Sequence, residues 1–308
     1  MELWASGFNA WGNLCFDDNT EKIWPDLHNF NPVLRDEEIS PRALYRSATL
    51  VETSTGMKFA GNPREIKGIL AALGDPSGGT YWPTAVAGNE RVAALISGVI
   101  KQFDSLEDVR IGAGSEGQKN YQLLDNFDAI VTQVVANSTS FTALTATGTV
   151  HTWGDGRITE RLGREVSDKC PADTPCVVED LQSIGKVTKI SSGGTLTAAL
   201  TSENDIYIWG NGSTTEPLSR LWNPTPYPLD LHGQDFLDVA VGNHHVIVLT
   251  TEHKIFVIGA NESGQLGRND RRDYPDWTEV SLPLKGTQHV TKVFAGHNNS
   301  LLLVENIE

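Results

Sequence analysis

A phrase that recurs along the chain is the feature that most constrains its fold. The clearest copy, Lys254–Gly267, reads K-I-F-V-I-G-A-N-E-S-G-Q-L-G, so an apolar run stops at Gly259 and a segment rich in Asn and Gly follows. β-Branched and aromatic residues favour strands, whereas Gly and Asn accept the positive φ angles of tight turns. The phrase therefore predicts a strand that runs into a compact loop.

Other copies of the phrase also end their apolar run at a glycine. The glycines are Gly7, Gly61, Gly154, Gly210 and Gly259, at intervals of 54, 93, 56 and 49 residues. The longest interval is close to two periods, and a degenerate strand at Gly98–Phe103 lies near its middle. A period of about 50 residues is typical of propellers and repeat arrays.

A second predicted strand precedes the phrase at a constant distance in the three best copies. This strand is the last part of each of the segments Val134–Thr145, Ile190–Thr201 and Val239–Thr250. A short turn separates it from the recurring phrase that follows. The apolar residues alternate as expected for strands of a sheet that is packed on both faces. Each period is therefore predicted to form an antiparallel sheet.

The combined pattern, an A-x-G-x-x-H-like strand, a T-x-x-G turn, Y-x-W-G and N-x-x-G-Q-L-G, resembles the repeat of the regulator of chromosome condensation family. The resemblance is strong over Ile255–Gly267, good over Val134–Gly163, Ile190–Gly212 and Glu2–Leu14, and weak between Gly61 and Phe127. It implies an all-β fold, a single β-propeller domain over residues 1–308. The landmarks predict six blades of about 50 residues. A seventh blade within residues 62–127 is the alternative.

The two ends of the chain complement each other in this pattern. Val290–Val304 has the first half of a repeat, and Glu2–Gly7 has the strand that this half lacks. Pairing residues 2–7 with residues 290–304 would close the propeller and remove exposed sheet edges. Trp4, Trp153 and Trp209 lie at or near the ends of the glycine-terminated strands, and we predict that they pack between blades.

Charge and hydropathy limit the partners and the location. The chain has 24 basic and 39 acidic side chains, a net charge of −15. This charge argues against direct binding of nucleic acid and suits docking on a basic protein surface. Arg268, Arg271 and Arg272 form a local basic group, which we interpret as a solvated loop. No apolar run approaches the roughly 18 residues of a membrane span, and Met1 leads straight into a strand instead of a secretory signal. We expect a monomeric protein of the cytoplasm, the nucleus or both.

We assign no catalytic or metal-binding role to the histidines and cysteines. His244, His245 and His297 lie at or beside the G-x-x-H position of the repeat, and we interpret them as structural. Cys15, Cys170 and Cys176 lack the paired spacing of a zinc site and are expected to be free thiols. No catalytic motif stands out, so we predict a non-enzymatic protein without catalytic, metal or cofactor site.

The predicted loops are the candidate binding surface, because propellers carry function on loops that a rigid scaffold holds. Long segments at residues 16–42, 61–84, 104–126, 162–182 and 213–235 hold many aromatic residues and prolines. Tryptophan and tyrosine often anchor protein interfaces. The candidate partner-binding residues are Trp24, Tyr81, Trp82, Trp222 and Tyr227. The alternative is that these side chains cover the outer strands of their own blades.

Two functions follow from the resemblance. The compact, acidic build resembles the fungal alpha-tubulin suppressor members, which partner a small zinc- or iron-binding protein and through it serve diphthamide synthesis and Elongator-dependent modification of tRNA wobble uridines. This implies an adaptor that binds one protein partner through a propeller face. The alternative is a guanine nucleotide exchange factor for a small Ran-like GTPase, like the founding member, whose β-wedge has no recognisable match here. A weaker alternative is a partner of a JmjC-type oxygenase.

Overall fold

The computed structural model describes residues 1–16, 24–62, 83–109, 121–212 and 217–306. In chain order its strands are β1 (Glu2–Gly7), β2 (Leu27–Arg35), β3 (Ile39–Leu44), β4 (Ala48–Thr53), β5 (Gly56–Gly61), β6 (Pro83–Val86), β7 (Val92–Ile96), β8 (Val99–Phe103), β9 (Gln122–Leu124), β10 (Val131–Ala136), β11 (Ser140–Thr145), β12 (Val150–Gly154), β13 (Cys176–Val177), β14 (Val187–Gly193), β15 (Leu196–Thr201), β16 (Ile206–Gly210), β17 (Asn223–Pro228), β18 (Phe236–Val241), β19 (His245–Thr250), β20 (Ile255–Gly259), β21 (Tyr274–Val280), β22 (Gln288–Ala295) and β23 (Asn299–Asn306). Short 3-10 turns occur at Thr159–Leu162, Glu179–Leu181 and Ser219–Leu221.

These strands form six antiparallel sheets within the described residues, which we call blades I to VI. Blade I has the strand order β2-β1-β23-β22, and blade II has β3-β4-β5. Blades III, IV, V and VI are the meanders β6 to β9, β10 to β13, β14 to β17 and β18 to β21. The six blades agree with the predicted number.

The described residues divide into two compact units. Blades I, II and VI belong to the first unit, and blades III, IV and V belong to the second. Residues 217–220 join the first unit, whereas residues 221–229 join the second.

Blade I combines strands from both parts of the sequence that were predicted to pair. Strand β1 lies between β2 and β23, with Glu2 opposite Val304 and Gly7 opposite Asn299. The strand is buried on both faces, because Leu3 and Ala5 pack toward blade II and Trp4 packs toward blade VI. This alternation follows from the two-residue period of side chains along a strand.

The second unit has the same kind of core. Trp153 packs with Phe141 and Ile100 between blades IV and III, and Trp209 packs with Ile190 between blades V and IV. The Trp153 Nε1 donates a hydrogen bond of 2.6 Å to Gln102 Oε1. Both indole rings are fully buried.

Blade III explains why its repeat was hard to recognise. In five blades the residue opposite the start of the second strand is the strand-ending glycine, for example Gly259 opposite His245. In blade III, Phe103 takes this place opposite Val92 and packs into a small core with Val109. The predicted strand is present, but its glycine is not.

The prediction of three free thiols is wrong. Cys170 and Cys176 form a disulfide across a Cα–Cα distance of 6.0 Å, and Cys15 is free. The loop between the two cysteines folds around the buried guanidinium of Arg164, which donates hydrogen bonds to the carbonyl oxygens of Cys170, Pro171 and Thr174. These bonds hold the loop in a shape that brings the two cysteines together.

Candidate functional site

The strand-ending glycines define one end of the first unit. Gly7, Gly61 and Gly259 have φ angles of 108°, 110° and 120°, which L-residues rarely adopt. A Cβ at any of them would lie closer than 3.0 Å to the carbonyl oxygen of a residue in a neighbouring turn, namely Asn298, Ser47 and His244 respectively. The turns at residues 45–47, 242–244 and 296–298 therefore lie directly against the strand ends. We call this side, with the loops at 8–16, 24–26 and 260–273, the glycine end.

The second unit repeats this construction. A Cβ at Gly154 or Gly210 would approach the carbonyl oxygen of Thr139 or Thr195 to less than 3.0 Å. The repeated glycine is thus a requirement of close backbone packing in both units.

A hydrogen-bonded loop follows β1 at the glycine end. The side-chain oxygen of buried Asn9 accepts a bond of 2.9 Å from the Leu14 N–H, and Gly12 N donates to Asn9 O at 2.8 Å. The Asp26 carboxylate accepts a bond of 2.9 Å from Asn9 N. The loop presents Trp11 at its tip, where half of the side chain is exposed (50%).

The loop that follows β20 has the same bonds. The Asn261 side-chain oxygen accepts from Leu266 N at 2.9 Å, Gly264 N donates to Asn261 O at 2.9 Å, and the Asp273 carboxylate accepts from Asn261 N at 2.9 Å. Ser263 takes the place that Trp11 has in the first loop. The shared scaffold therefore carries different side chains at its tip.

Three basic side chains lie in neighbouring turns of the glycine end. Arg46 and His244 are exposed, and His297 is half-buried. The turns that carry the histidines are joined by a hydrogen bond of 3.3 Å from Asn243 N to Gly296 O. Burial, followed by the charge of Arg46 and by His244, lowers the pKa of His297. We call Arg46, His244 and His297 the basic cluster.

His245, next to this cluster, is part of the core. Its Nε2 lies 2.9 Å from the Ser300 hydroxyl oxygen, and its ring fills the space above Gly242. Complete burial lowers the pKa of His245 to about 3, with smaller contributions from His244 and His297. The side chain is neutral at physiological pH and positions blade VI against blade I.

The predicted aromatic anchors have different surroundings. Trp24 lies on Gly12, and Trp222 lies on Gly212, so each covers its own loop. Tyr227 is 63% exposed on the proline-rich outer strand β17. Tyr81 and Trp82 lie outside the described residues.

The opposite end of the first unit carries acidic side chains. We call it the hairpin end, after the turns at residues 54–55 and 251–254. An open cleft of about 460 Å³ lies there, and Glu37, Glu38 and Glu52 are among its lining residues. Asp36 is held by the hydroxyl of Ser54, a hydrogen bond that lowers the pKa of the Asp36 carboxyl.

In the part of the chain that the structure describes, no three His, Cys, Asp or Glu side chains are placed to hold a metal ion. Among the same residues, no helix has the length and apolar character of a membrane span.

Comparison with known families identifies the class of protein. Family models of the regulator of chromosome condensation (RCC1) repeat match residues 147–200, 236–265 and 252–303. With six blades, these matches define a β-propeller built from RCC1 repeats, which confirms the predicted fold class. The chain therefore contains RCC1 repeats over residues 147–200 and 236–303 and is similar to the RCC1 family.

Its curated relatives match about half of this chain. The Arabidopsis thaliana mitochondrial RCC1 domain-containing protein RUG3 is 31% identical over 185 residues, 55% of this chain and 41% of that protein. The human E3 ubiquitin-protein ligase HERC2 is 32% identical over 50% of this chain and 3% of that protein. The human regulator of chromosome condensation is 33% identical over 45% of this chain and 33% of that protein. This chain thus aligns with less than half of the length of each.

Solved structures are similar over the whole chain. Human WBSCR16 has a TM-score of 0.60 at 19% identity, covering 98% of this chain and 81% of its own. Prp20p from Saccharomyces cerevisiae, whose structure was described together with its binding to Gsp1p and histones, has a TM-score of 0.60 at 14% identity, covering 100% and 92%. At these identities the similarity shows the shared fold.

Proposed function

We propose that this protein is a non-enzymatic interaction module that binds one protein partner through the glycine end of its first unit. The observation that carries the proposal is the basic cluster, which gathers residues from three separate turns in a chain with a net charge of −15. The exposed Trp11 lies at the same end, and exposed tryptophans are frequent anchors of protein interfaces. The backbone beneath these side chains is fixed by the crowded glycines, so the surface is pre-organised for binding.

For the partner, we propose a small metal-binding protein of the pathway for diphthamide synthesis and Elongator-dependent tRNA modification. The support is the compact, acidic build and the resemblance to the alpha-tubulin suppressor members. The test is affinity purification of the tagged protein from its native host, followed by mass spectrometry. A small metal-binding protein with Elongator subunits is expected, and a Trp11→Ala variant should recover less of it than a Lys254→Glu variant altered at the hairpin end.

A guanine nucleotide exchange factor is the second candidate, because this chain resembles the human regulator of chromosome condensation and the fold of Prp20p, a protein with Gsp1p-binding properties. Exchange requires an element that displaces Mg²⁺ and phosphate from the GTPase, whereas an adaptor needs only a complementary surface. We expect no acceleration of the release of a fluorescent GDP analogue from a Ran-type GTPase at micromolar concentration of this protein. A tenfold or greater stimulation, about 1.4 kcal/mol of activation free energy, would replace the adaptor proposal by the exchange proposal.

A further inference from the structure

The glycine end also holds carboxylates, those of Asp26, Glu262, Asp270 and Asp273. Three of these carboxylates are already bonded within their own loops. Asp26 accepts from Asn9 N and Asp273 accepts from Asn261 N, each at 2.9 Å. Asp270 accepts from Arg272 at 3.1 Å and from the Tyr274 hydroxyl at 2.9 Å. These carboxylates accept hydrogen bonds that shape the loops, and the bonds partly compensate their negative charge.

The basic cluster differs from these acids. Among the described residues, no carboxylate lies within ion-pair distance of Arg46, His244 or His297. The polar side-chain contacts of His297 are with neutral amides, those of Asn243, 3.5 Å from His297 Nε2, and of Asn298. Elsewhere on this unit some exposed cations are paired, as Arg35 is with Glu2 at 2.9 Å and Lys254 is with Glu252 at 2.7 Å. The basic cluster therefore brings positive charge from three turns together without a carboxylate beside it in the described part of the chain.

We propose that the basic cluster binds an acidic segment of the partner protein, with a carboxylate against Arg46 and further carboxylates against the two histidines. This inference rests on the proposed function and specifies the chemistry of the partner. Carboxylates form charge-assisted hydrogen bonds with guanidinium and imidazolium groups, and complementary charges also fix the orientation of docking. The acidic residues of the hairpin end repel such a segment, so we expect the segment to bind at the glycine end.

Binding should be coupled to proton uptake. The groups that face His297 are Arg46, His244 and neutral His245, together with the Asn243 and Asn298 side chains. Burial and Arg46 lower the pKa of His297, so this ring is largely neutral at pH 7. A carboxylate that arrives beside an imidazole raises its pKa, because it stabilises the charged form. The complex then binds more protons than the free protein, and affinity rises as the pH falls.

The test uses a fluorescein-labelled hexaglutamate peptide and a matched hexaglutamine peptide, with binding to the full chain followed by fluorescence anisotropy. We expect hexaglutamate to bind more tightly than hexaglutamine, with an affinity that falls as salt rises. Arg46→Glu should weaken hexaglutamate binding about tenfold or more. Lys254→Glu makes the same charge change at the hairpin end and should alter binding less than about twofold. Equal binding by the wild-type protein and Arg46→Glu would overturn the proposal.

The pH dependence is an independent measurement. From pH 7.5 to pH 6, the wild-type affinity for hexaglutamate should rise several-fold, about threefold or more. The double variant His244→Asn with His297→Asn should lose this increase and retain its thermal stability. An unchanged pH profile in the double variant would contradict the role of the histidines.

The outcomes separate this inference from the proposed function. One outcome is that the native partner binds the wild-type protein and Arg46→Glu equally well but does not bind Trp11→Ala. The glycine end would then be the interface, and the inference that it binds an acidic segment would be wrong. If Trp11→Ala and Arg46→Glu both retain the native partner, the proposed interface itself is wrong.

Discussion

The two ends of the first unit are built from the same strands, but they differ in how closely the backbone is packed and in how the charged side chains are paired. At the glycine end the backbone is crowded, since Gly7, Gly61 and Gly259 each face a carbonyl oxygen, and the cations of the basic cluster are unpaired. At the hairpin end the backbone has room: Gly56 has a φ of 115°, yet a Cβ there would have no atom within 4 Å. Three cations there are paired: Arg42 with Glu52, Lys58 with Asp36 and Lys254 with Glu252. The comparison indicates that close packing fixes the backbone of the glycine end, whereas its side chains are left available for binding.

Removal of residues 1–6 should have the largest effect, because β1 runs between the two ends and is an interior strand of blade I. Without β1, the strand β23 gains an unpaired apolar edge, and Leu3 and Trp4 leave two cores. We expect a loss of several kcal/mol in the free energy of unfolding, together with aggregation, as for other disruptions of a buried core. The measurement is thermal unfolding with light scattering, and a truncated protein that melts at the wild-type temperature would contradict the structure of blade I.

A pair of alanine substitutions compares the two ends directly. Gly259→Ala places a methyl group both at an unfavourable φ and against the carbonyl of His244, so we expect a loss of about 3–5 kcal/mol. Gly56→Ala imposes the same unfavourable φ in open space and should cost only about 1–2 kcal/mol. Urea unfolding of the two variants measures the difference. Equal losses would mean that the conformation, and not the crowding, explains the repeated glycine.

The next effect concerns pH and the buried histidine of the glycine end. The pKa of His245 in the folded protein is about 3, below the ordinary value of 6.5, so the unfolded chain takes up a proton first as the pH falls. Stability from this group is complete above pH 6.5 and is lost progressively between pH 6.5 and 3, by about 2 kcal/mol at pH 5. His245→Asn, which copies Asn299 of blade I, should remove this part of the pH dependence. Parallel pH profiles for the variant and the wild type, from urea unfolding, would show that His245 is not the titrating group.

The smallest effect on stability should come from the exposed tip of the loop after β1. Trp11→Ala should change the free energy of unfolding by less than about 1 kcal/mol, because half of the side chain is already exposed. The same change should weaken partner binding about tenfold or more, as for an interface anchor. Ser263→Ala is the matched control at the equivalent place of the loop after β20 and should change neither property. A large loss of stability in Trp11→Ala would identify Trp11 as a packing residue instead.

The sequence was sufficient for the blades because each one carries its own local pattern. The alternation of apolar residues and the strand-ending glycines are set by contacts within one sheet. They therefore recur at regular intervals along the sequence, where they can be recognised. The basic cluster was harder to foresee: the two histidines lie beside a recognisable G-x-x-H position, but Arg46 has no motif and joins them only in the folded unit. The net charge of −15 is a property of the whole chain and gives no sign of the local cations of the glycine end.

Other gaps have equally local causes. Trp11 lies inside the loop motif at a position that the motif does not fix, since the same position in the second loop is Ser263. Trp24 and Trp222, two of the candidate partner-binding residues, are half-buried and lie against Gly12 and Gly212 respectively, and their role in binding stays a prediction. The disulfide escaped notice because it depends on how the carbonyl groups around Arg164 fold, which no spacing rule describes.

The pairing of β1 with β23 also bears on the order in which the chain can fold as it is synthesised. Blades III, IV and V use strands that are consecutive in the sequence, so each can form soon after its last strand leaves the ribosome. Blade I cannot form until β22 and β23 have been made, so Leu3, Trp4 and Ala5 lack their partners while residues 36–287 are synthesised. During that interval β1 is a short apolar segment without its native neighbours, and it is the part of the nascent chain that most needs protection by a chaperone.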